Sequence, residues 1–301
     1  LTYGVVLVFL GLLYACTLVS QLGGTDAEGY KPAVALGAVG FVVFLAALIR
    51  SLIPHSHFFM PTGVVLMTTG LFFAITSLFL VSDSRFVVMT RRELASYFYS
   101  PVGYFVLLMT ALVAGIAYMI FYGQMKVEAP EPIVGSYLGT FVSILTVTFL
   151  VPAMTMRLVS EEKRTGTYEV LMCVPISETT VVLSKLLASF LFYMMTWGVW
   201  ALYLVAFRAD QAAQETVFAY RPLLSFFMAV GASGLSFMAM GLFFSCVTKN
   251  QLVAAALTFV GMLIYLSLFF VMRAMPATSV WHTVATHTTY ITLWWDSLDG
   301  R

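Results

Sequence analysis

The residues best placed to do chemistry lie in one charged island, RLVSEEKRTGTYEVLMCVP at 157–175, with long apolar runs on both sides. From Arg157 to Lys185 the chain carries eight of its 29 formal charges. Charge of this kind, held between apolar helices, gives something soluble a place to push. It points to a membrane domain worked from outside itself rather than to a self-contained enzyme.

The other reactive side chains form weaker patterns. Gly231-Ala-Ser-Gly234 formally matches the G-x-S-G of intramembrane serine proteases. A nucleophilic Ser233 needs a base within hydrogen-bond reach. Only His282 and His287 are candidates, and both fall after the last span. Small residues in a membrane helix more often mark close packing, and that reading is preferred. His282 and His287 are five residues apart, which is not a same-face helical spacing, so no metal or haem pair is expected. His55 and His57 read as interface residues. Cys16, Cys173 and Cys246 have neither metal-ligand nor disulfide spacing. No G-x-x-x-x-G-K-[ST] and no H-E-x-x-H occurs. No catalytic or metal-binding residue and no cofactor is therefore assigned to this chain. The core spans are also expected to lack the buried ionisable residues of an ion-coupled pump, so any energy would come from a partner.

Composition sets the frame for these residues. The chain is 61% hydrophobic and 10% charged, against about 25% charged in a soluble domain. Mean hydropathy is +0.95. A net charge of +1 gives no bulk field for nucleic acid. The expected fold is all-α, a polytopic transmembrane helix bundle with lipid around it. A bilayer core takes about 20 apolar helical residues. Eight segments reach or approach that length: 3–20, 33–53, 62–82, 102–123, 134–156, 180–207, 222–247 and 252–274. Backbone groups in lipid must bond within their own segment, so these are helices.

Orientation follows from the basic residues. One set of loops holds Arg85, Arg91, Arg92, Arg157, Lys163, Arg164, Lys185 and Lys249; the other holds Lys126, Arg208, Arg221 and Arg273. The richer set belongs in the cytoplasm. Residues 1–82 read as an accessory three-helix membrane region and 85–301 as the core. The chain begins at Leu1 and reads as a window on a longer protein. Trp281, His282, His287, Tyr290, Trp294 and Trp295 cluster after the last span and suit an external interfacial or re-entrant helix.

Two motifs flank the first two core spans. In TRRELASYFYSP at 90–101, Thr90 and Glu93 have capping-box spacing. Leu94, Tyr97 and Phe98 share one face, with Arg91, Arg92 and Glu93 toward the other. This suits a helix in the cytoplasmic interface, turning at Ser100-Pro101 into the next span; a plain basic anchor would look similar. In the island, Glu161, Glu162, Lys163 and Arg164 are expected to extend the preceding helix, Gly166 to end it, and Thr167 to cap a short helix carrying Tyr168, Val170, Leu171 and Met172, which offers its Tyr, Leu and Met to the cytoplasm. Pro175 stops that helix. The bland alternative is a solvated loop.

RRELASYFYSPVGYFVLL at 91–108 and RLVSEEKRTGTYEVLMCVPIS at 157–177 together resemble the ABC-2 type permeases, most closely the gliding-motility and nitrous-oxide-reductase-maturation branch. The first stretch resembles the amphipathic elbow helix (Arg91, Arg92, Glu93, Tyr97, Ser100, Pro101). The second resembles the loop whose E-x-x-x-G-T-x-E-x-L-x-x-x-P core forms the coupling helix (Glu162, Gly166, Thr167, Glu169, Leu171, Pro175, with Glu161, Tyr168 and Met172 beside them). The resemblance implies a type V exporter-like permease core in the inner membrane of a bacterium. It implies a separate cytoplasmic ABC ATPase that binds ATP and Mg²⁺, and a second permease subunit meeting spans 102–123 and 252–274. It also implies a sixth span beyond Arg301, with 281–301 as the external segment before it. Residues 1–82 have no counterpart in the minimal permease. The competing readings are a non-transporting membrane scaffold and a Ser233 hydrolase.

Overall fold

The computed structural model describes residues 30–52, 70–71, 74–77, 79, 81–125, 133–172, 176–210, 220–276 and 280–298. Among them all regular structure is α-helix. The expected span 3–20, the His55–His57 loop, Cys173 and Pro175 lie outside the described residues, as does much of 62–82. The chain divides into two compact units, 1–91 and 92–301, with the division inside the helix Arg85–Tyr99.

In the first unit, α1 (Tyr30–Leu52) packs closely on the helical residues near 70–77. A β-carbon on Gly37 would lie 2.1 Å from Ser77 Oγ, and one on Gly70 would lie 2.6 Å from the Gly40 carbonyl. Such backbone proximity is how helices associate where lipid removes the hydrophobic driving force.

The helix α2 (Arg85–Tyr99) starts earlier than its sequence suggested. Ser84 Oγ accepts from Val87 N at 3.3 Å, which serves the open amides of the first turn. Thr90 is therefore in mid-helix and fully buried, its hydroxyl donating to the Phe86 carbonyl at 2.8 Å. The capping box with Glu93 does not form, because tertiary burial of Thr90 outweighs its local preference. After Ser100 the chain turns sharply into α3 (Pro101–Met125). The turn is so tight that a β-carbon on Gly103 would sit 2.0 Å from the Tyr97 carbonyl oxygen.

The remaining helices are α4 (Ile133–Leu138), α5 (Phe141–Thr155), α6 (Ser160–Thr165), α7 (Thr167–Met172), α8 (Glu178–Asp210), α9 (Tyr220–Val247), α10 (Gln251–Ala274), α11 (Val280–Thr288) and α12 (Tyr290–Leu298). Five stretches are long and apolar enough to cross a membrane: 101–124, 141–165, 178–204, 225–247 and 251–274. They coincide with the last five expected spans, with one correction. The segment 134–156 is broken at Gly139–Thr140. The break has its own partners: Ser143 Oγ donates to the Leu138 carbonyl at 2.6 Å, and Trp295 Nε1 donates to the Gly139 carbonyl at 3.3 Å.

The span containing α5 is the most enclosed of the five and touches α3, α8, α9 and α10. Those of α3 and α10 are the least enclosed. The interior is aromatic. Trp197 and Trp294 meet edge to face at 5.3 Å, and Phe226 contacts both. Hence Trp294 is a core residue, not an interfacial one: α12 tucks against α9 and buries Tyr290, Ile291, Trp294 and Leu298. Trp281, on α11, stays exposed.

Candidate functional site: a buried lysine joining the elbow and the charged island

The charged island folds differently from a simple helix extension. α5 stops at Thr155, and residues 156–159 form a turn before α6 begins at Ser160. The first amides of α6 have no intrahelical partners. Ser245 on α9 supplies one, its Oγ accepting from Val159 N at 3.0 Å and Ser160 N at 3.1 Å. In return Lys163 Nζ donates to the Cys246 carbonyl at the end of α9. The two helix termini thus satisfy each other. Gly166 ends α6 with φ of +75°, the left-handed conformation that glycine takes without a Cβ penalty.

α7 follows at once. Thr167 is its first residue, and the Thr167 hydroxyl contacts the Glu162 carbonyl and the Thr165 hydroxyl rather than capping an amide. Tyr168, expected to face solvent, is half-buried. It packs on the small cluster of Leu158, Val159 and Leu242, with Lys163 Nζ 5.6 Å from its ring centre. Tyr168 therefore anchors α7 to the bundle, because a ring loses more by exposure than it gains by display. Glu169 stays exposed. Leu171 and Met172 belong to the helix, and their side chains lie outside the described residues.

Lys185, near the start of α8, is the residue that joins the two motifs. Its side chain is 2% exposed. Nζ donates to Glu93 Oε2 on α2 at 2.9 Å and to Glu162 Oε1 on α6 at 2.7 Å. One buried cation thus ties its own helix to two others, through partners 92 and 23 residues from it in the chain. A second bridge runs parallel. Arg157 grips Glu161 with two bonds, Nε to Oε2 at 2.7 Å and Nη2 to Oε1 at 3.2 Å, and donates from Nη1 to Ser100 Oγ at 2.7 Å in the elbow turn. Tyr97 completes the seam. It stacks on Phe192 at 4.6 Å and donates to the Met154 carbonyl at 3.0 Å. Burial first, then Glu93, holds its phenol above the usual range against the opposing pull of Arg157, so it acts as a neutral donor. Arg92 pairs with Glu93 from a more exposed position, 2.9 Å away.

The expected site residues Glu93, Tyr97, Ser100, Glu161 and Glu162 thus converge. Pro101 opens α3 and Gly166 ends α6, Arg91 lies within α2, and Glu169 is on α7. The expectation that the core spans hold no buried ionisable residue is corrected by Lys185. A signal for it existed: Lys185 is a lone cation within an apolar run, and such a residue needs a named partner.

The hydrolase reading loses its geometry. Ser233 Oγ donates to the Ala229 carbonyl at 2.9 Å and accepts from Trp294 Nε1 at 3.0 Å. A β-carbon on Gly234 would fall 2.2 Å from the Tyr193 ring. The Gly-Ala-Ser-Gly stretch is a packing surface for α8 and α12. Among the described residues no group of three His, Cys, Asp or Glu side chains could hold a metal ion.

No curated protein and no solved structure matches the chain. Residues 124–294, more than half of the chain, match the family described as ABC-2 family transporter protein. That stretch includes the island, Lys185 and the Ser233–Trp294 contact, and begins at the end of α3, so the elbow lies outside it. This helical membrane permease domain belongs to the ABC-2 transporter family.

Proposed function

We propose that the chain is the permease subunit of an ABC transporter whose ATPase is a separate cytoplasmic protein, and that the seam around Lys185 carries ATP-driven movement into the bundle. The observation that supports this most directly is the pair of bonds from one buried lysine to the elbow helix and to the island. The ATPase would bind ATP and Mg²⁺ and dock on α7, with Glu169, Leu171 and Met172 as contacts. Tyr168 and Lys163 would keep α7 from moving independently of α6. A push on α7 then reaches Glu162, Lys185 and the long helix α8. The reading places this end of the bundle in the cytoplasm, at the inner membrane of a bacterium, as the excess of basic residues supports.

A second permease subunit would cover α3 and α10. Both leave large apolar side chains outside, including Phe105, Leu112 and Met119 on α3 and Leu252, Val260 and Phe270 on α10. Membership of the gliding-motility or nitrous-oxide-reductase-maturation branch rests on the motifs at 91–108 and 157–177.

The test is affinity purification of the full-length protein in detergent, with mass spectrometry of the bound proteins and an ATPase assay. A stoichiometric ATPase that is lost, or hydrolyses ATP without transport, in Glu169→Arg and Leu171→Asp supports the proposal. Glu169→Arg should reduce co-purified ATPase about tenfold, the loss expected of one charge-assisted contact. Purification without any nucleotidase would return the scaffold reading.

A further inference from the structure

The end of the bundle opposite the island carries a cation with no acid paired to it. α10 begins at Gln251, close to the island helix α6, and runs to Ala274. Arg273, in its last turn, is therefore about 33 Å from the island along the helix axis. Its guanidinium carbon lies 4.8 Å from the centre of the Phe269 ring and 5.7 Å from that of Trp295. Those two rings meet edge to face at 5.3 Å and form a corner against which the cation rests. Trp295 is itself fixed by its bond to the Gly139 carbonyl. The corner is thus built from α10, α12 and the break between α4 and α5.

Rings meet the charge of a guanidinium but not its N–H donors. There are five of these, and among the described residues the Arg273 side chain takes part in no hydrogen bond or ion pair. Asp296, the residue after Trp295, is exposed and does not pair with it. The last turn of a helix favours any cation, so the position alone asks for no ligand. The two rings do more. Cation–π contact holds the group in place, and its remaining donors fit the paired oxygens that an arginine grips better than a lysine does. The neighbouring surface is apolar. α11 packs on α10, and its Val280, Trp281 and Val284 are 77%, 70% and 50% exposed. A free guanidinium beside an exposed tryptophan, at the end of an apolar span, matches the phosphate level of a bilayer.

We propose that Arg273 binds the phosphodiester of a phospholipid in the leaflet opposite the island, with Val280, Trp281 and Val284 against its glycerol and upper acyl carbons. Two phosphate oxygens accept from the guanidinium, while Phe269 and Trp295 keep their contact with its charge. A lipid with a sugar headgroup brings no charge to the site and leaves the cation unpaired. A soluble phosphate would gain the same two bonds without the apolar contact, so the exposed face of α11 is what makes a lipid the occupant. The bound lipid anchors the junction of α10, α11 and α12 at the membrane surface. The inference needs α10 to span the membrane but does not need an ATPase. A chain that retains the lipid and binds no ATPase would keep it and lose the coupling proposal.

The experiment places the full-length protein in nanodiscs of phosphatidylglycerol and a glucosyl diacylglycerol with identical acyl chains. Retained lipids are counted by native mass spectrometry as detergent is titrated in. Phosphatidylglycerol should be retained about tenfold over the glycolipid, the discrimination expected of one charge-assisted contact. Arg273→Gln should erase the preference, and because Arg273 is exposed the variant should unfold at the wild-type temperature. Arg273→Lys, which keeps the charge but not the paired donors, should reduce the preference about threefold. Lys249→Gln, at the other end of the same helix, should leave it unchanged. Equal retention of the two lipids by the wild-type chain would overturn the proposal, as would an undiminished preference in Arg273→Gln or its loss in Lys249→Gln. Glycerol phosphate that displaces the lipid at equal concentration would also overturn it, by making the occupant a soluble anion. So would a dimer that falls apart in Arg273→Gln while the lipid ratio stays the same, because the group paired with Arg273 would then belong to a second subunit.

Discussion

The region around Lys185 and the region around Trp294 both bury polar atoms in the same helical unit, by opposite means. Around Lys185, full charges meet across helices α2, α6 and α8. Around Trp294, neutral rings meet across α8, α9 and α12, with one indole donating to one hydroxyl. An ion pair keeps much of its attraction when its partners slide by an ångström or two, because Coulomb energy falls only as the inverse of distance. Ring contact is lost over a far smaller gap. The charged seam can therefore shift and stay joined, whereas the aromatic seam is either closed or open. The contrast also separates what each can tolerate: a lost charge leaves partners stranded, and a lost ring leaves a cavity.

The sharpest way to break this comparison is Lys185→Met. Removing one partner of a buried ion pair costs about 3–5 kcal/mol, here with Glu93 and Glu162 both left uncompensated. Thermal unfolding in detergent should show a large loss, mostly recovered when Glu93→Gln and Glu162→Gln are added. Recovery marks the region as electrostatic; failure to recover would make Lys185 a packing residue like those around Trp294. Trp294→Ala should cost about 3 kcal/mol as a large-to-small core change, and no charge substitution nearby should rescue it. Gly103→Ala sets the elbow turn against its own backbone and should cost about 2 kcal/mol as an overpacked contact. If that substitution is silent, the elbow is looser than the 2.0 Å approach to Tyr97 indicates. Ser233→Ala should have the smallest effect, about 1 kcal/mol for one hydrogen bond, with transport retained. Complete loss of function at normal stability would reopen a chemical role for Ser233.

The elements differed in how far they could be read in advance. The five spans at 101–124, 141–165, 178–204, 225–247 and 251–274 were legible because length and apolarity are local properties that lipid enforces. Gly166 was legible as a helix end for a similar reason, since a left-handed residue after a helix is nearly a glycine signature. Thr90 misled because a capping box is a local preference, and a threonine in mid-helix can instead bond back to the i−4 carbonyl, as it does to Phe86. Tyr168 misled because its helix was known but its rotation about Lys163 and Leu158 was not. The tryptophans after the last span were assigned to the interface by type, although only the packing of α12 could separate Trp294 in the core from Trp281 outside.

The sequence by itself determined that this chain is an all-helical membrane protein with charge concentrated in one island, because hydropathy, helix length and the glycine at 166 act over neighbouring residues. It also held the residues of both motifs. Only the tertiary structure decided that Glu93 and Glu162 share one lysine, that Arg157 reaches Ser100 and that Ser233 serves Trp294 rather than a base. Those partners lie 23 to 92 residues apart in the chain. Nothing local records such a distance, and it closes only when the helices pack and each buried polar group must find whatever complement the fold brings near.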